Sequence, residues 1–252
     1  MKFYIVKKNI IYISILIVLC SFLLTLGGKN TTYASVFFGD NLKLYPIYKV
    51  DTEKKDVAIT FDAAWGADKT IEIMDVCDEF NIKATFFLVG IWVEEYIEQT
   101  KEIANRGFEI GSHSYNHPDM TKLNKQAMQM ELIKTNELIQ NTVNVKPNVF
   151  RAPYGAYNNE LLSMLKDLGM HGIQWDVDTL DWKGYGPSQV ISRVKDKVGG
   201  GSIILCHNNA DHVIENTRLI LTTLKNEGYN FVTVSELIKD VKQIKMGIGY
   251  LK

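Results

Sequence analysis

The stretch VAITFDAAWGADKT, Val57 to Thr70, decides the fold. An apolar, β-branched run ends on one carboxylate, Asp62, and the chain then turns through Ala63, Ala64, Trp65 and Gly66. Beyond the turn Ile71, Met74, Cys77 and Phe80 recur at helical spacing. A buried strand feeding directly into a helix is one β/α unit, and the same order repeats to the end of the chain. KATFFLVG precedes VEEYIEQTKEIANRG, and FEIGSHS precedes a long helix over roughly 123–143. PNVFRAPYG precedes NNELLSMLKDLG, HGIQWDVDT precedes PSQVISRVKDKVGG, and GSIILCHN precedes VIENTRLILTTLKNEG. YNFVTVSEL closes the series. Repeated β-then-α order means parallel strands joined by right-handed crossovers. No GxGxxG follows the first strand, which removes support for a dinucleotide-binding sheet. The pattern predicts an α/β fold, a (β/α) barrel of about seven units.

The chain has 252 residues, 46% hydrophobic and 23% charged, with a net charge of -1. That balance gives no basis for nucleic-acid binding. The N-terminus differs from the body. Lys2, Lys7 and Lys8 precede the uncharged run Ile10 to Leu26, and Thr32 and Ala34 offer small residues for cleavage. A positive flank before an apolar core reads as a signal peptide or membrane anchor over 1–34. Either one exports the domain, leaving it tethered to the membrane or secreted. Residues 35–56 read as an N-terminal extension packed on the barrel, 57–240 as the barrel, and 241–252 as a C-terminal tail. A monomer is expected. Of the three cysteines, Cys77 and Cys206 lie in the body, where two free buried thiols are expected rather than a disulfide.

Barrel chemistry gathers at the C-terminal ends of the strands. The first strand delivers Asp62 there, the third His113 and His117 in HSYNHPD, and the fourth Arg151 and Tyr154 in RAPYG. The fifth delivers Asp176, Asp178, Asp181 and Trp182, and the sixth His207. Three of the five histidines fall at one rim. His113 and His117 are four apart in a segment read as one helical turn, which puts both imidazoles on one side and suits a divalent metal such as zinc. A carboxylate ending a buried strand needs a partner, and Arg151 is the natural one for Asp62. Asp178 or Asp181 would orient His207. His171 begins its strand and reads as structural, and His212 has no assigned role. VGGGS, residues 198–202, precedes a strand and so reads as a turn at the opposite rim. Cys206 points to the face opposite its neighbour His207.

TFD, HSYNH, RAPYG, DTLDW and LCH, in that order, resemble the five motifs of the polysaccharide deacetylases of the NodB-homology class. The likeness covers about residues 55–240, and the TFDxxWG variant is most similar to the sporulation-associated branch. The resemblance implies a distorted, NodB-type barrel and hydrolysis of the N-acetyl amide of an amino-sugar polymer, cell-wall or spore peptidoglycan. It implies a divalent metal, zinc with cobalt or manganese as alternatives, on His113 and His117. Asp62 is then the base, held by Arg151, and His207 the acid, aided by Asp181. Tyr154, Trp182 and Asp178 would meet the substrate. Tyr154 and Trp182 would form an apolar floor under the acetyl methyl, with a backbone N–H near Tyr154 facing the oxyanion. One position departs from the pattern. The family's first motif carries two consecutive aspartates, the second a metal ligand, and here that second residue is Ala63. The metal would then be weakly held or absent unless Asp62 ligates it or Asp68 reaches in. The alternative expectation is a non-catalytic glycan-binding wall or spore protein with a degenerate metal site. A two-carboxylate glycosidase is a further alternative, but it gives the histidines no role.

Overall fold

The computed structural model describes residues 43–239. The signal or anchor segment at 1–34 and the tail at 241–252 lie outside the described residues. Among the described residues no helix is long and apolar enough to cross a membrane.

Strand β1 (Asp56–Ala63) is fully buried beyond its first residue and pairs with three other strands. Helix α1 (Thr70–Glu79) follows it, then β2 (Thr85–Leu88) and two short helices, α2 (Gly90–Glu95) and α3 (Ile97–Asn105). Next come β3 (Glu109–Ser112), the long α4 (Lys125–Val143), β4 (Val149–Phe150) and α5 (Asn159–Asp167). The chain continues through β5 (His171–Gly172), β6 (Val177–Asp178), α6 (Pro187–Lys197) and β7 (Ile203–His207). It closes with α7 (Val213–Asn226), β8 (Asn230–Phe231) and α8 (Val234–Ile238). The strands run parallel in the order β5-β4-β3-β2-β1-β7-β6, with β8 paired to the start of β1.

Side-chain alternation along β1 divides the core in two. Val57, Ile59, Phe61 and Ala63 pack outward with Phe86, Leu88, Ile204 and Cys206 under the helices. Ala58 faces inward with Phe87, Val149, Ile173 and Ile203, and Val234 and Leu237 of α8 join that inner cluster. Thr60 and Asp62 share the inward face. Apolar residues fill the barrel low down, and polar groups occupy its upper end.

HGIQWDVDT does not form one strand. It breaks into β5 and β6, which pair with different neighbours and leave the sheet open between them. The N-terminal extension lies along that opening. Ile47 donates its N–H to the Gly172 carbonyl at 2.8 Å and accepts from the Gln174 N–H at 2.7 Å. The same segment then reaches β7, where the Val50 N–H donates to the Gly201 carbonyl at 2.9 Å. This pairing satisfies edge groups that a full fifth strand would have used. The VGGGS turn is built for that approach. Gly201 has φ +79°, and a Cβ there would lie 1.8 Å from the Val50 carbonyl oxygen.

Two other local readings are corrected. VEEYIEQTKEIANRG is divided between α2 and α3, which meet at Tyr96 with φ −120°. HSYNH is a non-helical loop, and Ser114 and His117 both take positive φ, +66° and +58°.

Candidate active site

The inter-strand register places the acid and the histidine together. Asp62 on β1 is the direct partner of His207 on β7, so both side chains emerge at the same height and on the same face. Asp62 is buried, and its Oδ1 accepts from Arg151 Nη1 at 2.6 Å. Arg151 leaves the end of β4 with no exposure. Its Nη1 also donates to Thr60 Oγ1 at 2.9 Å, its Nη2 donates to the Gln174 carbonyl at 3.2 Å, and it lies 4.1 Å over the Phe87 ring. Burial pushes the Asp62 carboxyl upward. The charges of Arg151, His113 and His207 outweigh that and hold it below the usual carboxylate range. Asp62 is therefore an ionised, oriented carboxylate.

His113 follows β3 and is buried. Its Nδ1 lies 2.7 Å from the Arg151 carbonyl, which places the ring proton on Nδ1 and the lone pair on Nε2, 3.6 Å from Asp62 Oδ2. Burial lowers its pKa, with Asp62 only partly opposing. The His117 ring lies 5.0 Å from the His113 ring, and its Nδ1 is buried without a hydrogen-bond partner. Burial, with His113 beside it, takes the His117 pKa down to about 4. Both imidazoles are therefore neutral near pH 7, the state in which a ring nitrogen can ligate a metal.

His207 and Asp181 form a second hydrogen-bonded pair. His207 Nδ1 donates to Asp181 Oδ1 at 2.8 Å, and the His207 backbone N–H donates to Oδ2 at 2.8 Å. Burial works to lower the His207 pKa, but the bond and charge of Asp181, with Asp62 and Asp178, reverse the sign and raise it. Asp178 does not bond His207. Its Oδ1 caps the turn by accepting from the Leu180 N–H at 2.8 Å.

Asp176 is not at this rim. It accepts from Ser202 Oγ and the Ile203 N–H, both at 2.8 Å, at the end of β7 opposite His207. Asp68 is exposed. Among the described residues no group of three His, Cys, Asp or Glu is arranged to hold a metal ion. Ala63 is fully buried under the helices, on the outward face of β1. The two imidazoles, one with its tautomer fixed and one with an unpartnered buried nitrogen, are the donors a divalent cation would meet here, with no carboxylate from position 63.

Tyr154 and Trp182 are 71% and 58% exposed, so they form a rim rather than a floor. Tyr154 adopts φ +59° and sets its ring edge-on to His117 at 4.7 Å. Trp65, to which the sequence reading gave no role, stands edge-on to His117 at 4.9 Å. The turn that carries Trp65 is pinned, because the Gly66 carbonyl accepts from Trp92 Nε1 and Asn208 Nδ2, both at 2.7 Å. The tryptophan in the quoted stretch was the available signal, but its neighbour His117 is far away in sequence. Cys77 and Cys206 are free and buried, and burial pushes both thiols up, Cys77 to about 12. Neither is a nucleophile.

A parallel half-barrel with an acid–arginine pair, two imidazoles and an acid–histidine pair at one mouth defines a class of hydrolase-like scaffold, and similarity to known proteins identifies it. Residues 49–173 match the family described as polysaccharide deacetylase. The chain is 37% identical over 206 residues to YlxY of Bacillus subtilis (strain 168), covering 82% of this chain and 64% of that protein. It is 34% identical over 196 residues to a peptidoglycan-N-acetylglucosamine deacetylase of Bacillus cereus, covering 76% and 71%. Among solved structures, a mutant of the Bacillus anthracis protein BA3943, described as a CE4 family pseudoenzyme with restored enzymatic activity, superposes with TM-score 0.75. It is 36% identical, with 79% of this chain and 73% of that one covered. This chain belongs to the polysaccharide deacetylase family.

Proposed function

We propose that this protein is an N-deacetylase acting on wall or spore peptidoglycan outside the cytoplasmic membrane, tethered or released through residues 1–34. One observation carries the reading. Two separate hydrogen-bonded pairs suited to moving protons, Asp62–Arg151 and His207–Asp181, open onto one mouth. Binding a glycan requires neither pair, whereas hydrolysing an amide requires both. Asp62 Oδ2 takes a proton from the attacking water, and Arg151 keeps Oδ1 fixed and ionised. His207 enters as imidazolium and gives its Nε2 proton to the departing sugar amine, while Asp181 fixes its orientation through Nδ1. The amide C–N bond breaks, and acetate and a free amine result. Trp65, Tyr154 and Trp182 line the rim along which the sugar lies. His113 and His117 would hold a divalent metal, zinc or alternatively cobalt or manganese, which when bound polarises the acetyl carbonyl and acidifies water.

Ala63 favours a second reading, a glycan-binding protein that has lost turnover. Acetate release from N-acetylated peptidoglycan, measured with each metal added, separates the two for the parent and Ala63→Asp. The deacetylase reading expects acetate from the parent. Acetate from the variant alone would give the protein to the second reading.

A further inference from the structure

We infer that Glu131, in the middle of α4, is the positioning residue for the His117 side of the metal site. This rests on reading His117 as a metal ligand. The loop from His113 to His117 has a difficult task. It must return a second imidazole to the mouth within four residues, and it does so with two non-glycine residues, Ser114 and His117, at positive φ. Each such residue is strained and persists only where its surroundings impose it. The loop itself offers little restraint, the His117 N–H donating to Ser114 Oγ at 3.1 Å.

Glu131 supplies one side of the remainder. Its Oε2 accepts from the backbone N–H groups of Tyr115 at 2.7 Å and Asn116 at 2.8 Å, and its Oε1 accepts from Asn116 Nδ2 at 2.8 Å. Three charge-assisted bonds from one carboxylate seize the two residues that lie between the positive-φ positions. Helix α2 holds the other side. Gly90 and Ile91 donate their N–H groups to the Ser114 and Tyr115 carbonyls at 2.9 and 3.0 Å. A side chain at Gly90 would collide with Tyr115, 2.3 Å from its Cδ2. The Tyr115 hydroxyl donates to Glu94 at 2.6 Å, and Lys134 lies 3.4 Å over its ring. The loop is clamped between α2 and α4, and Glu131 is the residue whose side chain holds the loop's backbone N–H groups. The result is a His117 Nδ1 that is buried and left without a protein partner.

This role is geometric, so a glutamine should fill it. Its carbonyl oxygen can accept both backbone N–H groups, and Asn116 can rotate its amide to accept from the new NH₂. The test is a zinc titration of the purified full-length chain by calorimetry, with amide exchange followed on the metal-free protein. Glu131→Ala is expected to weaken zinc binding by about tenfold or more, as loss of an outer-shell partner does, and to strip protection from the Tyr115 and Asn116 amides. Glu131→Gln is expected to titrate close to the parent. If Glu131→Ala does not fold, Asn116→Ala removes one of the three bonds and should weaken zinc binding by less. Equal titration of parent and Glu131→Ala, including no zinc bound by either, overturns the inference, as does a Glu131→Gln loss equal to that of alanine. Acetate release is scored separately. A chain that binds zinc in this graded way but releases no acetate contradicts the deacetylase reading and leaves the role of Glu131 standing.

Discussion

Asp181 commits both carboxylate oxygens to the residues around His207, accepting from its ring, from its backbone N–H and, at 2.9 Å, from the Trp182 N–H. A carboxylate so occupied orients the imidazole and favours its charged form. Because the folded pKa of His207 is raised above its ordinary 6.5, the acid form persists to higher pH. Deacetylation is expected to hold steady at lower pH and to fall as pH rises through that raised value. Asp181→Asn removes the bond and the charge, so the alkaline limb of the pH–rate profile should move to lower pH. An unmoved limb would separate His207 from the acid role. Stability has the same sign: the imidazolium–carboxylate bond stabilises the fold below the unfolded pKa and is lost as pH rises through the folded one. At this scale the sequence was legible where chemistry forces a partner. A carboxylate ending a buried strand requires a cation, and Arg151 is that cation. The choice between Asp178 and Asp181 was not legible, because it depends on a turn with Leu180 at φ +54°.

Arg151 matters as much to the elements as to the site. It joins β1 through Asp62 and Thr60 to the link between β5 and β6 through the Gln174 carbonyl, inside a barrel whose sheet is open at that link. Arg151→Ala would leave Asp62 buried, charged and unpaired, and is expected to cost about 3–5 kcal/mol of stability. Denaturant unfolding measures it, and a loss within about 0.5 kcal/mol, the range of a surface substitution, would contradict the staple. The broken strand shows why element boundaries escaped the sequence. HGIQWDVDT carries the strand formers Ile173, Trp175, Val177 and Thr179, yet its middle pairs with the N-terminal extension, a tertiary contact that no local pattern announces. The HSYNH loop escaped for a related reason. Spacing of four suits a helical turn, but the clamp of Glu131 and α2 imposes positive φ instead.

For the whole molecule, the alternation of strand and helix was sufficient to read a parallel barrel, since each apolar run carried its own helix after it. The convergence of Asp62, Arg151, His113, His117 and His207 followed from one rule, that strand ends share a mouth, together with motif order. Asp176 shows the limit of that rule. With the fifth strand split, Asp176 falls before β6 rather than after it, and bonds at the opposite end of β7. Trp65 and Glu131 escaped because each acts on a histidine loop distant in sequence.

The central claim is that Asp62 and His207 transfer protons across one mouth. The most direct measurement is acetate release from N-acetylated peptidoglycan by the parent, Asp62→Asn and His207→Ala, with chain length of the product checked. Acetate is expected from the parent, with a fall of about 10²–10⁴-fold in each variant and glycan of unchanged length. Parent-level release by either variant, or no acetate from the parent under any divalent metal, would contradict it.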